Sequence, residues 1–204
     1  MKLIFDLDGT LICPKERMYK LFSDLTRNES IDFENYWNIR YSGLNNIDIL
    51  QNQLKYSNKE LDTFYHAWME KIESDYYLAM DIALPGVVDF LKDCGKNNDL
   101  YICTNRQSIE QLIKQLERLC IIDFFHRIFI TENKVSKADL LLKSDILFTD
   151  KDWIIGDTGN DITTGKTIGV KTCSVLSGIM SKTNLMVYMP DLIIENVVHF
   201  DFYK

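Results

Sequence analysis

Five short apolar runs constrain this chain more than any other feature: "KLIFD" (2–6), "LYICT" (100–104), "RIFIT" (127–131), "WIIGD" (153–157) and "KTCSVL" (171–176). Runs of this length and composition suit strands of a parallel sheet covered on both faces. Between the second and third, "QSIEQLIKQLERL" (107–119) places Ile109, Leu112, Ile113, Leu116 and Leu119 on one stripe at helical spacing, as a crossover helix would. The expected fold class is α/β, with strand and helix alternating.

Residues 15–84 break that rhythm. Met18, Leu21, Phe22 and Leu25 recur at helical spacing, and Leu61, Phe64, Tyr65, Trp68, Met69 and Ile72 repeat the pattern. The segment reads as an all-helical insertion in a core made of residues 1–14 and 85–204. "LPG" at 84–86 returns the chain to that core, because Pro85 fixes its own backbone and restricts Leu84. The aromatic stripes of the insertion read as core contacts, with some positions left to line its inner face.

Composition narrows the function classes. An apolar share of 46% and an aromatic share of 12% describe a globular chain, and 204 residues suffice to bury a core. A net charge of -7 argues against a nucleic-acid partner or an anionic membrane surface, both of which need a basic footprint. The first residues begin a strand rather than a basic leader with an apolar core, and no span is long enough for a transmembrane helix, so a cytoplasmic protein is expected. Cys13, Cys94, Cys103, Cys120 and Cys173 contain no CxxC pair and are expected as buried free thiols.

In an open parallel sheet, ligands bind beyond the carboxyl ends of the strands, where the winding reverses. Polar residues collect at those ends here. Asp6 and Asp8 follow the first run, Thr104 and Asn105 close the second, and Asp157 follows the fourth with Asp161 four residues on. Carboxylates crowded at one sheet edge repel, and neither Asp6 nor Asp8 has an obvious cation nearby in sequence. A hard divalent cation with oxygen ligands, magnesium, answers both points. Each piece alone is an ordinary turn; the combination, in consistent order along alternate runs, is not.

Two other motifs fail on inspection. "DLDGTL" departs from a calcium loop because its glycine comes fourth rather than sixth and its twelfth place is Arg17 rather than Glu. "NDITTGKT" (160–167) ends like a P-loop, but Asn160 occupies the first glycine position and Asp161 would repel a phosphate. Lys166 then reads as a solvated helix residue.

In order, "DLDGT", "CTN", a following lysine and "GDTGND" resemble the four motifs of the haloacid dehalogenase-like phosphatase superfamily, over residues 5–161. The resemblance implies a three-layer α/β/α, Rossmann-like core with a helical cap inserted after the first motif, where residues 15–84 fall. It implies Asp6 as the nucleophile that forms a phosphoryl-aspartate, and Asp8 as the acid that protonates the leaving oxygen and then activates water. Magnesium would be held by Asp6, the backbone carbonyl of Asp8 and Asp157, with Asp161 supporting directly or through water and lysine. Thr104 and Asn105 with neighbouring backbone N–H groups would hold the phosphoryl oxygens. For the third motif "NKVSKADLL" offers Lys134 and Lys137. Lys137 is favoured because Ser136 and Asp139 form a capping pair that sets it in the first turn of a helix. The family usually has proline directly after this lysine, where this chain has Ala138.

These readings together describe a magnesium-dependent phosphomonoester hydrolase acting on a small phosphorylated metabolite. A phosphomutase of the same superfamily, or a regulatory protein that binds a phosphorylated ligand without turnover, are the alternatives. Arg40, Tyr41, Ser42 and Asn45 are the candidate substrate contacts of the cap, and His66 reads as a structural or surface residue.

Overall fold

The computed structural model describes residues 1–27 and 30–201. After β1 (Lys2–Phe5) and β2 (Ile12–Cys13) come α1 (Lys15–Thr26), α2 (Phe33–Tyr41), α3 (Asn46–Asn52), α4 (Asn58–Lys71) and α5 (Asp75–Leu78). Then follow β3 (Ile82–Ala83), α6 (Val87–Cys94), β4 (Asp99–Thr104), α7 (Ile109–Arg118), β5 (Arg127–Ile130) and α8 (Lys137–Leu142). The chain continues through β6 (Trp153–Gly156), α9 (Gly159–Ile168), β7 (Lys171–Val175), α10 (Lys182–Met186) and β8 (Leu192–Ile194).

Six strands form one parallel sheet in the order β5-β4-β1-β6-β7-β8, with Leu3 opposite both Leu100 and Trp153. Side chains alternate across it and so define two faces. Leu3, Phe5, Leu100 and Ile102 pack with Phe90 and Leu91 of α6 and Leu112 and Leu116 of α7. Ile4, Tyr101, Cys103 and Ile154 pack on the other face with Leu141 of α8. Helices therefore cover both faces of a Rossmann-like α/β sheet, as the apolar runs require. The winding reverses at β1, which sits between β4 and β6, and this places the loop after Phe5 in the crevice where such sheets bind ligands.

Helices α1–α4 carry their own apolar cluster, in which Phe22, Tyr36, Trp37, Ile49, Leu50 and Phe64 are buried. Most of the aromatic stripe residues are core contacts, with the Phe22 and Tyr36 rings 4.9 Å apart and Trp68 stacked on Phe64 at 5.6 Å, but Tyr65 of the second stripe departs from the expectation and is exposed on the outer side of α4. One element within 15–84 is not helical. Ile82–Ala83 pairs antiparallel with Ile12–Cys13, a ribbon that ties the two ends of the insertion together where they leave the sheet. Gly86, at φ 79°, begins α6 directly after the Pro85 break.

Cys94, Cys103 and Cys173 are buried free thiols, but Cys13 is half-buried and Cys120 is exposed. Cys120 departs from the expectation because it lies just past the end of α7 in a left-handed conformation (φ 56°), in the turn that leaves the helix. The crossover helix is also narrower than its stripe: Leu112 and Leu116 are fully buried, whereas Ile109 is exposed and Gln115 is buried in its place. No helix among the described residues is long and apolar enough to cross a membrane.

Candidate functional site

Asp6 directly follows β1 and extends the sheet by one bond, its N–H donating to the Ile155 carbonyl at 2.8 Å. That bond aims a buried carboxylate out of the sheet edge. Lys137 meets it there: its Nζ donates to Asp6 Oδ1 and to Asp161 Oδ1, both at 2.6 Å, and the residue is 2% exposed. Local sequence chemistry places this lysine. Ser136 caps α8 by accepting from the Asp139 N–H at 3.0 Å, and its hydroxyl donates to Asp139 Oδ2 at 2.7 Å, so Lys137 is the first helical residue. Lys134, by contrast, is exposed and pairs with Glu132.

Asp157 and Asp161 follow β6 and enter α9. Asp161 closes a capping box, with Oδ2 accepting from the Thr158 N–H at 3.1 Å and the Thr158 hydroxyl at 2.6 Å. Both of its oxygens are thus engaged by protein donors. Asp157 Oδ2 accepts from the Ile179 N–H at 2.8 Å. Carboxylate oxygens of Asp6, Asp157 and Asp161 lie within 4.8 Å of one another, all three residues buried.

Three buried carboxylates face one ammonium, so negative charge is in excess. Burial, with Asp161 and Asp8 adding to it, pushes the Asp6 carboxyl up to about 7 although Lys137 pulls the other way. Burial and the nearby charges of Asp6 and Asp161 raise Asp157 well above its ordinary value. An all-oxygen donor set with surplus charge fits magnesium. Within the trio, Asp6 and Asp157 each keep one carboxylate oxygen without a hydrogen bond to the described residues, while both Asp161 oxygens are engaged.

Asp8 stands apart from this trio, and the sequence reading missed its partners. Arg106 donates to it from Nε at 2.5 Å and from Nη2 at 2.9 Å, and Arg17 donates from Nη2. The pairs close into a ring. Arg17 Nε donates to Asp81 Oδ1 at 3.0 Å, Gln115 Nε2 to Asp81 Oδ2 at 2.7 Å, and Arg106 Nη2 to Gln115 Oε1 at 3.0 Å. Burial opposes the charge on Asp8, but Arg106 and Arg17 outweigh it and hold the carboxyl below the usual range. Asp81 is fully buried, and burial raises its carboxyl despite Arg17. The ring joins the loops after β1 and β4 and helix α7, through Asp8, Arg106 and Gln115, to α1 and the turn before β3, through Arg17 and Asp81. A signal for it existed: a basic residue directly after "CTN", and a polar residue at position 115 on an otherwise apolar stripe.

A cavity of about 270 Å³ opens over these groups. Asp6, Asp8, Lys137 and Asp157 line its base, Thr104 and Asn105 its side, and Met18, Trp68, Met69 and Ile72 of the insertion close it. Thr104 is buried and Asn105 exposed. The expected cap contacts lie elsewhere. Arg40 donates to Asn46, Tyr41 accepts from Lys15, Ser42 bonds the Ile39 carbonyl and Asn45 caps α3. Ser42 and Asn45 bond backbone groups at the ends of α2 and α3, Arg40 and Tyr41 pair with the side chains of Asn46 and Lys15, and Trp68 and Met69 of α4 line the cavity. His66 is exposed, as read. Lys166 is exposed too, and bonds the Tyr188 carbonyl at 2.6 Å.

The model of one protein family, the haloacid dehalogenase-like hydrolases, matches residues 3–175. The chain belongs to that family. No curated protein matches its sequence significantly. Among solved structures, a haloacid dehalogenase-like hydrolase from Streptococcus pneumoniae aligns over 96% of this chain and 93% of its own, at TM-score 0.78 and 20% identity. A candidate phosphatase from Clostridium difficile aligns over 96% and 94%, also at 0.78, with 24% identity. A candidate hydrolase of the family from Bacillus subtilis, bound to magnesium, aligns over 96% and 94% at 0.65 and 17%.

In this haloacid dehalogenase-like hydrolase the acidic trio is held by close glycine contacts. A Cβ on Gly178 would fall 1.9 Å from Asp157 Oδ2, and one on Gly156 would fall 2.2 Å from Asp161 Cγ. Gly178→Ala is therefore expected to displace Asp157 and to cost about 1–3 kcal/mol of stability, and, on the magnesium site proposed below, to show a smaller rise in melting temperature with magnesium than the wild type. Gly169→Ala is the control, since that residue (φ +79) ends α9 with nothing within 4 Å. It should cost about 1 kcal/mol through backbone strain and leave the magnesium response intact. Thermal melts with and without magnesium compare the two; an unchanged response in Gly178→Ala would remove Asp157 from the metal site.

Proposed function

We propose that this protein is a phosphomonoester hydrolase that works through a phosphoryl-aspartate on Asp6, with residues 15–84 as its cap domain over a core of 1–14 and 85–204. The observation that carries this reading is the buried contact of Asp6 with Lys137, beside Asp157 and with Asp8 two residues on, all lining one cavity. Candidate and predicted phosphatases among the structural relatives support it, one of them a predicted phosphoglycolate phosphatase from Haemophilus somnus 129pt.

Asp6 and Asp157 are the residues that would hold magnesium, with the backbone carbonyl of Asp8. Asp161 supports them through Lys137 and Thr158. Bound there, magnesium would offset the charge of a phosphate dianion approaching a carboxylate. Lys137 keeps Asp6 oriented and adds positive charge beside the transferring group, while Thr104 offers a hydroxyl at the end of β4. Asp6 attacks phosphorus as the ester oxygen leaves with a proton from Asp8. Water then attacks the phosphoryl-aspartate, Asp8 takes its proton, and inorganic phosphate departs. The two arginines lower the Asp8 carboxyl, so the proton it takes from water in the second step is one it gives up readily to the ester oxygen of the next substrate. Met18, Trp68 and Met69 give the cavity an apolar wall beside the reacting groups.

Phosphate release from p-nitrophenyl phosphate, abolished by a chelator and restored by magnesium, is the expected result. Full activity in chelator would sink the metal assignment. The melting-temperature rise with magnesium should also shrink between pH 8 and pH 6. Asp6, at about 7, binds a proton at the lower pH that a cation must displace, and burial raises Asp157 in the same direction. A rise that grew toward pH 6 would contradict those carboxylates as ligands.

A further inference from the structure

The insertion contributes six side chains to the cavity lining: Arg17, Met18, Trp68, Met69, Ile72 and Glu73. Two are charged, and both are committed. Arg17 donates from Nε to Asp81, from Nη1 to the Ile72 carbonyl at 3.1 Å and from Nη2 to Asp8, so all three of its nitrogens are used. Glu73 accepts from the Gln107 N–H at 2.8 Å and from the Ser108 N–H at 3.0 Å, one oxygen for each. The Met69 carbonyl is taken as well, by Gln107 Nε2 at 3.0 Å. What the insertion leaves over is Met18, Trp68, Met69 and Ile72, each half-buried and so still showing surface.

Position decides what meets this wall. On the phosphatase reading above, the phosphoryl group sits against the core at Asp6 and the ester oxygen leaves beside Asp8. Asp8 is bonded by Arg17, the chain neighbour of Met18 in α1, so the departing alcohol emerges against the insertion. A charged or heavily hydroxylated alcohol would lose water there and gain no partner, whereas an apolar one gains by leaving water. Trp68 narrows the choice further. It stacks on Phe64 at 5.6 Å and 29°, which fixes the indole, while the thioethers of Met18 and Met69 adapt to the edge of a ring. Resting on that phosphatase reading, we propose that the substrate is a phosphomonoester of a neutral alcohol carrying a flat apolar ring, and that Trp68 sets this specificity.

Esters of primary alcohols test this without a large difference in leaving group. 2-Phenylethyl phosphate carries the ring, 2-hydroxyethyl phosphate a hydroxyl, and phosphoglycolate a carboxylate. The wild-type protein should prefer the first over each of the others by about tenfold or more in kcat/KM, chiefly through KM. Trp68→Ala should cut that preference to about threefold or less, and Trp68→Phe should keep most of it. Because the esters are compared on one preparation, a misfolded fraction cancels from the ratio. Should Trp68→Ala fail to fold, Met69→Gln on the same wall should lower the preference in its place. A wild-type ratio near one, or a preference for phosphoglycolate, with steady turnover overturns the inference and leaves the phosphatase reading standing. So does a preference that survives these substitutions intact. Failure to hydrolyse any of these esters or p-nitrophenyl phosphate overturns the phosphatase reading, and the inference falls with it.

Discussion

Asp6→Asn is expected to release no phosphate from any monoester, while Asp8→Asn accumulates a phosphoryl adduct on the peptide that carries Asp6. The two residues are adjacent in the loop after β1, but their surroundings differ. Asp6 is 7% exposed, bonds Lys137 and lies within the acidic trio, whereas Asp8 belongs to a ring of arginines. Removing the attacking carboxylate leaves nothing to receive the phosphoryl group, a loss of at least about ten-thousand-fold. Removing Asp8 leaves the nucleophile in place but takes away proton transfer, worth about 10² to 10⁴ in rate. With an aryl phosphate the leaving oxygen needs little protonation, so the first step survives in part and hydrolysis of the acyl phosphate becomes limiting. Rapid acid quench and mass spectrometry should find the adduct, with at most one equivalent of phenol released in a burst. Steady turnover by Asp6→Asn, or an adduct on another peptide, would refute the covalent assignment.

The second large effect separates two lysines three residues apart. Lys137→Ala strands the carboxylates of Asp6 and Asp161 in a buried site, which costs about 3–5 kcal/mol and removes positive charge from beside the phosphoryl group. Lys134→Ala removes an exposed pair with Glu132, worth at most about 1 kcal/mol. Urea melts should show a large loss of stability for the first and almost none for the second, and hydrolysis of p-nitrophenyl phosphate should follow the same ranking. Lys137→Met, which keeps the apolar stem, separates packing from charge: it should recover part of the stability and none of the activity. Equal activity in Lys137→Met and the wild type would end the catalytic case for this lysine.

Much of the architecture is readable in the chain because its signals are local. The five apolar runs become β1, β4, β5, β6 and β7 because alternating side chains there have a core on either face. The strands the runs do not announce are two or three residues long. Ile82–Ala83 and Leu192–Ile194 are defined by pairing with neighbours brought alongside by the fold, and so carry little pattern of their own. Lys137 could be preferred to Lys134 because the Ser136 and Asp139 cap lies within four consecutive residues. Arg40, Tyr41, Ser42 and Asn45 look available in sequence, yet none lines the cavity, because their partners are neighbours that only the packed helices bring near: Arg40 bonds Asn46, Tyr41 accepts from Lys15, Ser42 bonds the Ile39 carbonyl and Asn45 caps α3.

What the sequence alone determined is the order of the chemistry along the chain: acids after the first and fourth runs, a hydroxyl closing the second, and a lysine at a helix start. Strand ends and helix caps are written in a few consecutive residues, so these are legible without the fold. Only the tertiary structure brought Arg17, Asp81, Arg106 and Gln115 around Asp8. They are drawn from α1, the turn before β3, the loop after β4, and α7. Asp8 and Arg106 are 98 positions apart in the chain, and no periodicity reports such a meeting. It happens because β1 and β4 are neighbours in the sheet, which sets the loops that follow them side by side. Buried charge then admits little but full pairing. The one donor the ring leaves unpaired, Arg106 Nη1, is visible only once every other partner has been placed.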